Sequence, residues 1–124
     1  MTISPRKFDF LLEQAIDDLP PQFAQWLDEC PVIVEDEPSE QMRREMGVDE
    51  DGDLLGSFNG VAITMRSVDE AAGLPAHIMI FRKPLMEMCE SEEELADEIR
   101  ITLLHELGHY AGFDEDDLER MGYA

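Results

Sequence analysis

Positive charge is scarce in this chain. Nine Lys and Arg residues stand against 30 Asp and Glu among 124 residues, a formal charge of -21 at neutral pH. A surface so acidic repels phosphate backbones and anionic lipid, which argues against nucleic-acid binding and against docking on acidic membranes. Cysteine is nearly absent. Cys30 and Cys89 are far apart and form no CxxC pair, so neither a disulfide framework nor a thiolate metal site is expected. Both read as reduced, structural thiols. Long apolar runs are missing too. No stretch approaches the 18 residues of a membrane span, and residues 1–7 are not followed by a signal-type apolar segment. A cytoplasmic location is the resulting expectation.

What is present suits one globular unit. Hydrophobic residues make up 44% and charged residues 31%, which places the chain among ordinary folded domains, and its length is that of a single domain over residues 1–124. Ser4-Pro5 is a helix start, with Ser4 at the N-cap and Pro5 at the first helical position. Phe8, Leu11, Leu12, Ala15, Ile16 and Leu19 then recur at helical spacing until Pro20-Pro21 stops them. Phe23, Trp26 and Leu27 suggest another short helix; Phe8, Phe23 and Trp26 read as core or capping residues. Val32, Ile33 and Val34 form a β-branched strand. Residues 35–53 read as a long acidic connection with a helical turn near residues 40–45.

Residues 54–58 and 61–65 are strand-like on either side of Asn59-Gly60, a strong hairpin signal. A loop is expected over residues 69–75 and a strand over residues 77–81, closed by Lys83-Pro84. Met79, Met86 and Met88 read as core filling. Ser91 followed by Glu94 is a capping box that opens a long helix. Leu95, Ile99, Thr102 and Leu103 form its buried stripe, Ala111 ends it and Gly112 is the C′ residue. A short helix over residues 116–121 closes the chain. The order of elements predicts an α+β fold, a small mixed sheet packed on a long helix.

Chemistry concentrates in His105-Glu106-Leu107-Gly108-His109. Two histidines four apart share one helix face, with Cβ atoms about 5–6 Å apart. Both rings can therefore reach one zinc ion at about 2.0–2.1 Å. Glu106 sits one position round, where it can take a proton from a water held by the metal without occupying the metal itself. An ordinary polar helix face can also carry a histidine pair. Against that reading, only three histidines exist and the flanking Ile101, Leu103, Leu104 and Leu107 are apolar, so a buried pair needs partners. Catalytic zinc takes three protein ligands plus water. His77 is the remaining histidine and reads as surface or cleft edge. The acids after the helix are better candidates: Asp114, Glu115, Asp116, Asp117 and Glu119. Gly112 can turn the chain back toward the metal. Most members of that acidic run must be plain surface or helix cap. Binding of Ca²⁺ there or at residues 49–51 lacks the EF-hand spacing.

His105-Glu106-x-x-His109-x-x-Gly112-x-x-Glu115 resembles the elongated zinc motif of metzincins, HExxHxxGxxH. There the last position is the third ligand, usually His and sometimes Asp; Glu115 occupies it here. No Met-turn can follow in the metzincin manner, because only nine residues remain and Met121 is too close. The chain resembles more closely a family of minimal bacterial zincin-like metallopeptidases, from about Val32 onward. The likeness includes residues 34–38, Leu54-Leu55-Gly56, residues 80–85, the HExxHxxG segment and residues 118–123. The resemblance implies a minimal zincin fold with a small sheet over the active-site helix. It also implies that the strand of residues 77–81 borders the cleft, in the position where larger zincins pair an extended peptide.

The implied activity is metal-assisted hydrolysis of a peptide bond, with zinc held by His105, His109 and Glu115 and with Glu106 as general base. His77, Tyr110 and Tyr123 are candidate oxyanion donors, Tyr110 reading more naturally as packing. The partner is a peptide or protein substrate, basic or neutral given the acidic surface. The competing reading is a non-catalytic zinc- or partner-binding module on the same scaffold, and a third is a cleft completed by a second subunit.

Overall fold

The computed structural model describes residues 1–45, 54–60 and 76–123. Along them run α1 (Pro5–Asp17), α2 (Pro21–Glu29), β1 (Val32–Glu35), α3 (Glu40–Glu45), β2 (Gly56–Asn59), β3 (His77–Phe81), α4 (Arg82–Met88), α5 (Glu92–Ala111) and α6 (Glu115–Met121). This is the α+β arrangement expected. The predicted strand over 61–65, the loop over 69–75 and the acidic run at 49–51 lie outside the described residues.

Local chemistry sets the helix ends. The Ser4 hydroxyl accepts from the Lys7 N–H at 3.1 Å and Pro5 occupies the first helical position. The proline pair both ends α1 and begins α2, with Pro21 at the first position of the second helix. Ser91 accepts from the Glu94 N–H at 3.1 Å, but the Glu94 carboxylate reaches back to the Glu90 N–H rather than to Ser91. The capping box is thus displaced by one residue on its return leg. Gly112 ends α5 in the left-handed conformation at φ 97°.

Three strands form one mixed sheet in the order β1-β3-β2, with β1 parallel and β2 antiparallel to β3. Val32 lies opposite Ile78, and Ser57 opposite Met79. β2 starts two residues later than predicted and extends to Asn59, which pairs with His77; the second arm of the predicted hairpin lies outside the described residues. Gly56 is required where it stands: a Cβ there would lie 2.8 Å from Thr102 Cγ2 and 2.9 Å from the Met79 carbonyl, so only glycine lets β2 lie against α5.

α5 is the centre of the molecule. Leu95, Ile99, Leu103, Leu104, Leu107 and Tyr110 are all buried, against α1 and α2 on one side and β2 and β3 on another. Each buried aliphatic side chain contributes about 1.5–3 kcal/mol of transfer free energy. From α1, Phe8, Leu11, Leu12 and Ala15 enter the same core, as Ile78 and Ile80 do from β3. Cys30 and Cys89 are buried free thiols, and burial raises the Cys89 pKa.

α4 is a departure from the sequence reading. Lys83-Pro84 does not simply close the strand; Arg82 begins a helix, and Pro84 is accommodated because first-turn N–H groups have no intrahelical acceptor. Arg82 also ties distant segments together at this point. Its guanidinium holds both Asp9 carboxylate oxygens at 3.1 Å and Asp36 at 3.0 Å, joining α1 to the segment after β1. Met79 and Met86 are partly buried as expected, but Met88 at the end of α4 is 42% exposed.

Candidate metal centre

His105 and His109 lie one turn apart on α5, their ring centroids separated by 4.8 Å and their planes inclined at 79°. The Nε2 atoms are 3.2 Å apart. The other nitrogen of each ring is engaged with backbone: His105 Nδ1 lies 2.7 Å from the Tyr123 carbonyl oxygen, and His109 Nδ1 lies 3.2 Å from that of Phe113. A carbonyl only accepts, so each Nδ1 carries the hydrogen and donates it. In the neutral rings both Nε2 lone pairs therefore point into the space between them. Glu115 Oε1 closes that space, 2.8 Å from His109 Nε2 and 3.3 Å from His105 Nε2.

Three electron-pair donors converging without a hydrogen among them repel one another unless positive charge lies between. The three ligand atoms all fall within 4.8 Å of one another. Ligands of a tetrahedral zinc ion with bonds of about 2.0–2.1 Å stand about 3.3 Å apart, which these separations approach. The donor set of two imidazoles and a carboxylate fits a divalent cation.

The segment after α5 builds this arrangement. Gly112 reverses the chain, and the Phe113 N–H returns to the Gly108 carbonyl at 2.9 Å. That turn presents the Phe113 carbonyl to His109 and puts Glu115 at the first position of α6. Asp114 caps α6 by accepting from the Asp117 N–H at 2.8 Å, while the Asp117 carboxylate accepts from the Asp114 N–H at 3.1 Å. That second bond, assisted by Arg120, holds the Asp117 carboxyl below its ordinary pKa. Gly122, at φ 85°, turns the chain again, and the Tyr123 carbonyl meets His105. Gly108 has a packing role: a Cβ at that position would overlap Leu118 Cδ2, so its small size lets α6 seat on α5.

Aromatic rings of α2 back both turns. Trp26 meets Phe113 edge-on at 6.5 Å, and Phe23 meets Tyr123 at 5.9 Å. Phe23 and Trp26 are thus more than generic core: they support the two residues whose carbonyls orient the histidines. Neither those carbonyls nor this backing is identifiable from the sequence reading.

Glu106 lies outside the three-donor set. Its carboxylate is 3.8 Å from His105 Nε2, and the residue is only 7% exposed. Burial pushes its pKa up, opposed by the two histidines and reinforced by Glu115. It opens onto a groove of about 760 Å³ walled by residues of α5 and by Leu54, Leu55, Gly56 and Phe58, with Met88 and Tyr123 also lining it. The strand of residues 77–81 does not line this groove, contrary to the sequence expectation. β3 is the middle strand, and β2 with the two residues before it forms the wall.

Asp114 and Asp117 cap α6, while Asp116 and Glu119 lie with Arg120 along a separate shallow surface. His77 begins β3 opposite Asn59 and is not among the groove residues. Tyr110 is fully buried, donates its hydroxyl to Glu29 at 2.9 Å and packs edge-on against Phe58. Of the three proposed oxyanion donors, only Tyr123 lines the groove. Met121 is 41% exposed.

A model of the family described as zincin-like metallopeptidase matches residues 27–123. Among solved structures, the chain is similar to a conserved hypothetical protein from Thermus thermophilus. That likeness has 21% sequence identity and a TM-score of 0.55, covering 96% of this chain and 97% of that one. At this identity it establishes a shared fold. No curated protein matches the chain. Among the described residues, no helix is long and apolar enough to cross a membrane.

Proposed function

The chain belongs to the zincin-like metallopeptidase family, and from that premise we propose that it is a zinc-dependent peptidase. The observation that carries the reading is the convergence of His105 Nε2, His109 Nε2 and Glu115 Oε1 beside a buried Glu106, at the edge of an open groove. His105, His109 and Glu115 are the ligands. Bound zinc supplies Lewis acidity toward a peptide carbonyl and makes water a nucleophile near neutral pH.

The chain's own residues do the rest. The Phe113 and Tyr123 carbonyls hold the imidazoles in the tautomer that offers Nε2. Glu106 takes the proton of the attacking water and returns it to the leaving amine as the C–N bond breaks. Its burial favours the protonated form and so helps it hold that proton between the two steps. Apolar Leu54, Leu55, Phe58 and Ile101 exclude bulk water beside the reacting bond. We assign the activity to one domain spanning residues 1–124, because α1 shares the core of α5 although it precedes the matched region. Peptides or proteins in the cytoplasm are the substrates under this reading.

Elemental analysis should find about one zinc per chain, lost in His105→Ala and His109→Ala. Glu106→Gln should keep the zinc and lose about 10²–10⁴-fold in peptide hydrolysis. If zinc binds at that stoichiometry but the wild type cleaves no member of a broad peptide library, the scaffold is a metal-binding module and the peptidase reading is wrong.

A further inference from the structure

The groove extends along α5 beyond the reacting centre, and there a carboxylate, Glu98, lines it. Facing it from α5 are Glu98, Ile101, Thr102, His105, Glu106 and His109, a spacing that traces one side of a helix. The groove therefore follows the helix axis. Glu98 precedes His105 by seven residues, two turns, or about 10 Å at about 1.5 Å per residue. An extended peptide advances about 3.3 Å per residue, so Glu98 lies about three substrate residues from the bond to be cut. Ile101 and Thr102 lie between the two points on the helix, and most of the remaining lining is apolar, with Leu54, Leu55, Phe58 and Met88.

Glu98 is half-buried, and among the described residues no Lys or Arg lines the groove or pairs with it. A half-buried carboxylate in a largely apolar groove is a receptor for a cation carried on an apolar stem or segment. We infer that Glu98 is a specificity-determining residue, selecting peptides that place a positive charge about three residues from the scissile bond, with an apolar side chain between. This rests on the peptidase reading. The cation is a Lys or Arg side chain or a free peptide amino terminus, and the two share the same ammonium-type chemistry.

The test uses zinc-loaded Glu106→Gln, which binds without cleaving, and the same protein treated with chelator. Fluorescent peptides of the form Leu-x-Lys and Leu-x-Gln, with free or acetylated amino termini, are titrated by anisotropy. The Lys peptide should bind about tenfold more tightly. Adding Glu98→Gln should reduce that preference below about twofold, and Glu98→Lys should favour a Glu peptide instead. Glu13→Gln, which removes an exposed charge on α1, should leave the preference intact. A Lys-over-Gln preference that persists on acetylation assigns the cation to the side chain; equal binding of the two peptides, with a Glu98-dependent loss on acetylation, assigns it to the amino terminus. A preference unaffected by Glu98→Gln, or reduced equally by Glu13→Gln, overturns the inference. Cleavage mapping with the wild type separates the two levels. Cleavage without basic enrichment refutes the role of Glu98 and leaves the peptidase standing; Glu98-dependent binding without cleavage does the reverse.

Discussion

Helix α1 and the segment 112–123 both pack on α5, and they use the contact in opposite ways. α1 contributes Phe8, Leu11, Leu12 and Ala15 to the core and none of the three candidate metal donors. The segment 112–123 has one fully buried side chain, Leu118, yet supplies Glu115 and both carbonyls that hold the histidine rings. Stability and site geometry are thus loaded on different ends of the chain. α2 connects them, since Phe23 is part of the core and also touches Tyr123.

The sharpest way to break that division is Phe8→Ala. Truncating this fully buried ring should cost about 3–5 kcal/mol in denaturant melts and leave metal affinity within about twofold of wild type by competition titration. A parallel fall in affinity would mean that core and site are one cooperative object. A smaller and inverse effect is expected from Gly108→Ala. Alanine favours the helix by about 0.5–1 kcal/mol, but its methyl meets Leu118 and lifts α6. Net stability should move by no more than about 1 kcal/mol while metal affinity falls about tenfold.

The smallest effect concerns the α6 cap and depends on pH. The Asp117 carboxyl is held below its ordinary pKa, chiefly by the Asp114 N–H, so the unfolded chain takes up the proton first on acidification. The cap's contribution is complete above the ordinary carboxylate range and disappears as pH falls through the lowered value. Asp117→Asn should therefore melt below wild type at pH 7 and converge with it in acid, measured with metal removed from both. A constant gap would place the effect in packing rather than in charge.

How much of this the sequence displayed depended on range. The helix start at Ser4-Pro5, the histidine pair, the Gly112 turn and Glu115 are signalled by spacings of a few residues, and the structure brings those donors together. The parallel pairing of β1 with β3 joins segments 46 positions apart, and Arg82 reaches Asp9 across 73. No local pattern encodes such partners. The start of β2 is misread from sequence because Leu54 and Leu55 look like strand residues, whereas they serve as groove wall. Trp26 and Phe23 are legible as apolar, but which turn they brace depends on how α6 folds back. The ring-holding acceptors are invisible for a simpler reason: every residue has a carbonyl.

The three donors also differ in depth. The Glu115 side chain is 68% exposed, against 21% for His105 and 27% for His109. An ion arriving at this group from solvent would meet the carboxylate before either ring, drawn by the surrounding acids of α6. Loading would then run from outside inward, at a speed governed by long-range attraction that added salt weakens. Departure would first have to undo contacts with the deeper nitrogens and would be less sensitive to ionic strength, so capture and retention of a cation would answer to different parts of the same small cluster.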